Sequence, residues 1–202
     1  MSTLIEKALK KYSDRISRGK RKRYISAVAW LNVTQYVKRC FKTISESEFD
    51  NVDRFYLNIN RDYPIDVLPN HIQIHCGFRK LGAEYDTWEG IRNTISERGA
   101  ALVFSQLVNG SVLILLYPYK SEIFEFPEQY LIFDRYTCAA EISEKDVEKA
   151  FVAFVRYMQA TSAFSNTPFR DFVFRTRYRL RDWRYRFVLL GKLKEMISLL
   201  KQ

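Results

Sequence analysis

Cysteine, histidine, proline and glycine are all scarce in this chain: three, two, five and seven among 202 residues. The cysteines, Cys40, Cys76 and Cys138, are odd in number and far apart. That spacing excludes both a disulfide framework and a paired-cysteine zinc site, and a reducing, cytoplasmic setting is expected. The low glycine and proline content excludes collagen-like and low-complexity classes. The longest uninterrupted apolar run is VLILLY, Val112 to Tyr117, far short of the roughly 20 residues a spanning helix needs. Charged residues recur from Glu6 to Arg23, so no signal peptide is expected. P-loop, nucleophile-elbow and HExxH patterns are absent. No cofactor is implied and no catalytic residue is assigned.

What the chain does have is apolar and basic. Apolar residues make up 47% and aromatics 15%, enough at this length for one domain with its own core. The net charge of +10 is concentrated at the ends. Residues 1–23 hold nine Lys/Arg against Glu6 and Asp14, and residues 169–202 hold ten against Asp171, Asp182 and Glu195. Each end is therefore +7, while the middle is −4. Such a distribution attracts polyanions.

Periodicity assigns an α+β fold in a single domain, 1–202, with basic N-terminal helices over 1–42, a sheet region over 53–139 and a C-terminal helical pair over 143–202. Leu4/Ile5, Ala8/Leu9, Tyr12 and Ile16 are spaced as on a helix that packs into the core. RGKRKR, Arg18 to Arg23, reads as a joint before a second, buried helix from Tyr24 to Phe41. FYLNIN (55–60), HIQIHC (71–76) and YLIFDRY (130–136) read as strands. ALVFSQLVNGSVLILLY centres the largely antiparallel sheet on a 101–117 hairpin, with Asn109-Gly110 suited to a type I′ turn. Asp86 with Glu89 predicts a short capped helix ending near Gly99. Ser143 caps a helix whose face is Val147, Phe151, Phe154, Val155 and Met158.

The last segment contains RTRYRLRDWRYRF, Arg175 to Phe187, with six arginines. A strand would put Arg175, Arg177, Arg179 and Arg181 on one face, but that alternation breaks at Asp182. A helical reading runs further. Thr167-Pro168 is a start signal, and Phe169, Val173, Thr176, Leu180, Trp183, Phe187, Leu190, Leu193, Ile197 and Leu200 form one stripe. One long amphipathic helix over about 168–201 is predicted. Its stripe would face the core, flanked by Arg170, Arg177, Arg181 and Arg184 on one side and Arg175, Arg179 and Arg186 on the other. Phe174, Tyr178 and Tyr185 would form an outer row.

Arginine forks bind phosphate and stack on bases, and tyrosine offers a stacking face. Flanking arginines also commonly lie along an apolar stripe and pair with carboxylates. The expected function is a non-enzymatic nucleic-acid-binding subunit. Its phosphate contacts would be Lys20, Arg21, Lys22, Arg23, Arg175, Arg177, Arg179, Arg181, Arg184 and Arg186. No recognition fingerprint is present, so binding would be backbone-led and weakly sequence-specific. The alternative is an assembly subunit using Phe174, Tyr178 and Tyr185 as a protein interface. The partner would be DNA or RNA, a larger protein, or both, and a homo-oligomer stays open. A third reading is an enzyme using His71 and His75, which share a strand face; no third ligand at metal-site spacing accompanies them, so no metal is expected. A fourth lays the N-terminal helix on an anionic membrane surface, with core packing preferred for it.

Overall fold

The alternating central segments pair as strands and leave their apolar side to be covered by helices. In the computed structural model, which describes residues 3–45, 54–60, 70–86, 92–121, 126–165, 167–188 and 191, the architecture is α+β. The elements are α1 (Leu4–Ser45), β1 (Phe55–Ile59), β2 (His71–Cys76), β3 (Arg79–Asp86), β4 (Arg92–Arg98), β5 (Ala101–Gln106), β6 (Val112–Tyr117), β7 (Lys120–Ser121), β8 (Leu131–Tyr136), α2 (Glu144–Thr161) and α3 (Pro168–Arg181).

One sheet has the order β1-β2-β5-β6-β8, and a smaller one has β3-β4-β7. Every pairing is antiparallel. The chain passes repeatedly between the two sheets. β2 runs into β3 past Gly77, β4 into β5 past Gly99, and β6 into β7 past Pro118. The first two crossings are bridged where the Cys76 N–H donates to the Ala100 carbonyl at 3.0 Å. Gly99 supplies a φ of +86° at its bend, and proline sits where the ladder is interrupted anyway.

The core lies between the larger sheet and the helices. Ile72, Ile74, Leu102, Phe104, Ile114 and Leu116 meet Trp30, Val33 and Val37 of α1 and Val147, Phe151, Phe154 and Tyr157 of α2. Ser143 caps α2 in a capping box with Asp146, worth about 1 kcal/mol. Of the face predicted for α2, Val155 is 39% exposed while Val147, Phe151, Phe154 and Met158 are buried.

Several expectations are corrected. α1 is one helix of 42 residues, about 63 Å long, not two joined at RGKRKR. Lysine and arginine are good helix formers and Gly19 alone does not stop a helix. The hairpin is present, but its turn is not type I′. Only Gly110 has positive φ, and Asn109 does not. The Gly110 N–H donates to the Leu107 carbonyl and the Leu107 N–H to the Ser111 carbonyl, both at 2.8 Å, as in a turn closed by a left-handed glycine. The helix expected to end near Gly99 is instead β4, drawn into the small sheet by pairing with β3 and β7; residues 87–91 lie outside the described residues. The helix predicted over 168–201 is interrupted at Asp182 and helical again over 183–188. The stripe positions Leu190, Leu193, Ile197 and Leu200 lie outside the described residues.

The largest correction is rotational. Phe174, Tyr178 and Tyr185, expected outside, pack against the core. Phe169, Val173, Leu180, Trp183 and Phe187, expected inside, are 80%, 49%, 42%, 60% and 71% exposed. Tyr178 stacks on Phe133 of β8, and Phe174 meets Tyr178. Two buried carboxylates, Glu128 and Asp182, hold this orientation through the arginines they engage.

Candidate nucleic-acid interface

α1 carries the first of the two basic ends. Its second half is anchored through Ser26, which is fully buried. The Ser26 hydroxyl donates to the Gly110 carbonyl at 2.5 Å and accepts from Gln106 Nε2 at 2.9 Å and the Ala139 N–H at 3.0 Å. One serine thereby fixes the helix to the hairpin turn and to the loop after β8. Gly110 permits that approach, because a Cβ there would lie 3.0 Å from Arg23 Cα and 3.2 Å from Ser26 Cβ.

Before this anchor the helix stands off the body. From Thr3 to Arg21 every residue is exposed, including Leu4 at 86%, Ile5 at 70% and Leu9 at 62%. The core packing expected for this stretch does not occur. At 100° per residue, Lys7, Lys10, Lys11, Arg15, Arg18, Arg21 and Lys22 fall within about 140° of arc. Ile5, Ala8, Leu9, Tyr12 and Ile16 fall within about 100° on the other side. The body packs only on the later half of the helix, where Ala27, Trp30, Val33 and Val37 continue roughly the same side as that second arc. The cationic arc therefore faces away from the protein. Arg18 donates to the Asp14 carbonyl, and no carboxylate among the described residues pairs with Lys7, Lys10, Lys11, Arg15, Lys20 or Arg21. Lys22 is half-buried, near Glu141, whose carboxyl is held low mainly by hydrogen bonds from Thr137 and slightly by Lys22. Arg23 is exposed.

The second basic end is built differently. Arg179 pairs with Glu128, whose side chain is wholly buried, and Tyr157 of α2 donates to the same carboxylate at 3.4 Å. Burial, with that carboxylate beside it, pushes the Tyr157 phenol above its ordinary range. Arg184 donates through Nη2 to Asp182 Oδ2 at 2.7 Å and to the Tyr130 carbonyl at 3.0 Å, and lies over the Tyr130 ring. Asp182 closes α3 and caps the helical stretch that follows. It accepts from the Arg184 N–H at 3.0 Å and from the Ile132 N–H of β8 at 2.7 Å. Burial alone would raise its carboxyl. The hydrogen bonds from Arg184 and Ile132, and the Arg184 charge, outweigh it and hold the group below its usual range.

Of the sequence-predicted α3 cations, Arg175 lies over Phe126 and, like Arg179 and Arg184, is half-buried. Arg177, Arg181 and Arg186 are exposed, as is Arg170; Arg181 lies over Phe133. Lys20 to Arg23 and the α3 arginines sit on separate elements. The residues that sequence reasoning counted as charge but did not place in the site are Lys7, Lys10, Lys11, Arg15 and Arg18. The absence of a breaker between Thr3 and Ser45 was the signal that could have found them.

His71 is exposed, and His75 is half-buried with its ring stacked on Tyr56 at 5.4 Å. Four residues apart on β2, they are separated by about 13 Å, too far to share one ion or proton. Among the described residues no His/Cys/Asp/Glu group is arranged to hold a metal, and no helix is long and apolar enough to cross a membrane. No family model, curated protein or solved structure matches the chain.

Proposed function

We propose that this protein is a non-enzymatic nucleic-acid-binding subunit whose phosphate-contacting element is the projecting half of α1. The observation that carries this is the cationic arc from Lys7 to Arg21, exposed and free of carboxylate partners among the described residues, with only Lys22 at its end half-buried beside Glu141. A helix fits the roughly 12 Å wide major groove of a duplex. Residues 4–22 span about 28 Å, and a duplex carries about one charge per 1.7 Å of its axis. Lys7, Lys10, Lys11, Arg15, Arg18, Arg21 and Lys22 lead, and α3 is a minor contributor because Arg179 and Arg184 are engaged within the protein.

A flat lipid surface fits less well. It would have to meet the apolar arc, and the body packs against that same side of the helix. Contacts by lysine and arginine to phosphate carry no base information, so the binding is weakly sequence-specific.

Anisotropy titrations of a 20-base-pair duplex and a 20-nucleotide single strand, at several salt concentrations, test the proposal. Six phosphate contacts give log–log slopes of about −5 and −4 respectively. Replacing Lys7, Lys10, Lys11, Arg18 and Arg21 with Gln flattens the duplex slope by about 0.9 for each phosphate no longer neutralised, whereas Arg177→Gln with Arg186→Gln leaves it nearly unchanged. Negligible binding at physiological salt, or a slope that follows the α3 substitutions instead, would sink the proposal.

A further inference from the structure

α3 turns its tyrosines inward and its larger apolar stripe outward, which leaves Phe169, Phe172, Val173, Leu180, Trp183, Phe187 and Val188 exposed along one segment. The four aromatics are 80%, 56%, 60% and 71% exposed. At about 150–250 Å² per aromatic side chain, they alone leave roughly 400–650 Å² uncovered. That is comparable to the largest apolar patch of a typical monomer, roughly 300–600 Å², which is often functional. It also approaches the roughly 800 Å² that one partner contributes to a stable interface.

We infer that this face is a docking surface for an amphipathic helix of another protein, with carboxylates along one edge of its apolar stripe. Phe169, Val173, Thr176 and Leu180 follow the four-three-four spacing by which one helix seats another. Stacked bases need no such spacing, and Val173 and Leu180 offer them no ring. Charge then selects the partner. Arg177, Arg170 and Arg181 lie about 80–120° round from Phe169, all exposed and without a carboxylate partner among the described residues. On the opposite flank Arg175 and Arg179 are held by Phe126 and Glu128. Within α3, which ends at Arg181, the exposed positive edge is therefore one-sided. A second copy is disfavoured because antiparallel pairing of two such faces juxtaposes two arginine edges, and parallel pairing leaves both edges without a counter-charge. A partner with acidic residues along the matching edge satisfies both the apolar stripe and the charge.

The inference uses α3 and is independent of α1, so either reading can fail alone. The test employs a labelled designed peptide of about three heptads, with leucine at the seam and glutamate along one edge, and a control in which lysine replaces each glutamate. The full chain binds the acidic peptide more tightly than the control by about tenfold or more. Phe172→Ser with Trp183→Ser abolishes binding while circular dichroism and the thermal midpoint stay unchanged. Arg177→Gln with Arg181→Gln removes the preference for the acidic peptide but keeps residual affinity. The five-residue Gln variant of α1 binds the peptide like the parent. Equal binding of both peptides, or of neither, overturns the inference. So does concentration-dependent dimerisation that Trp183→Ser abolishes, which identifies a second copy. Displacement of the peptide by a single-stranded oligonucleotide, in the α1 variant, overturns it in favour of a base-stacking surface.

Discussion

Asp182 is the residue on which the C-terminal orientation depends, and its removal makes a quantitative test. Its carboxylate is 1% exposed and satisfies three groups at once: the Ile132 N–H of β8, the Arg184 N–H and the Arg184 guanidinium. Asp182→Ala strands the Ile132 donor, which costs about 1–3 kcal/mol. It also removes a helix cap, about 0.5–2 kcal/mol. Arg184 loses its ion partner but is 26% exposed, so part of its charge returns to water. Because one carboxylate serves all three, these terms overlap, and a total loss of about 3–5 kcal/mol is expected. Urea unfolding at neutral pH measures it.

The sign of the pH dependence follows from the depressed carboxyl. The stabilisation is fully present above the unfolded-state value of about 3.9 and disappears as pH falls through the lower folded-state value. The difference in unfolding free energy between the parent and Asp182→Asn should therefore be constant near neutrality and shrink below about pH 4. A loss under about 1 kcal/mol for Asp182→Ala, or a parent–Asn difference that stays flat through the acid range, would refute the reasoning.

Two further substitutions probe α1. Gly19→Ala meets nothing within 4 Å and should stabilise the projecting half by about 1 kcal/mol, read as slower amide exchange over residues 4–22. Gly110→Ala combines a φ of +81° with an approach to Arg23 Cα at 3.0 Å. It should destabilise the protein by about 1–3 kcal/mol and loosen α1, checked by thermal unfolding and by amide exchange at Ser26 to Trp30.

Where neighbours in sequence are also neighbours in space, the chain is legible from its letters. The hairpin about Gly110, strands β1, β2 and β8, and the Ser143 cap all rest on local alternation or on one short-range hydrogen bond. The small sheet is hidden for the opposite reason. β4 reads as part of a short capped helix and β3 as no regular element, because their stability comes from partners such as Arg79 and Glu97. Glu97 is 1% exposed and accepts from Arg79, from the Ser162 hydroxyl at 3.0 Å and from the Ala163 N–H at 2.8 Å. A glutamate serving the end of α2 from a strand sixty-odd positions earlier leaves no periodic trace.

The rotation of α3 marks a limit of hydrophobic periodicity. The pattern identifies a helix with an apolar stripe, but it ranks sides by side-chain greasiness alone. In this protein the side that is buried is the one with polar anchors. Asp171 accepts from Ser165 and Thr167, Arg179 reaches Glu128, and Asp182 reaches β8. Each buried carboxylate would be costly without its donor, so the three together select one rotation of the helix about its axis. Tyr178 and Phe174 meet the core because those donors are met there. The same selection displaces the more apolar stripe into solvent and ties Arg179 and Arg184 to internal carboxylates, which is why the proposed phosphate contacts rest on α1. An arginine-rich helix is thus divided by its buried carboxylates into arginines that build the fold and arginines left to meet a partner. Arg170, Arg177 and Arg186 belong to the second set and should be replaceable by Gln without loss of stability, whereas Arg181, exposed but lying over Phe133, should cost a little.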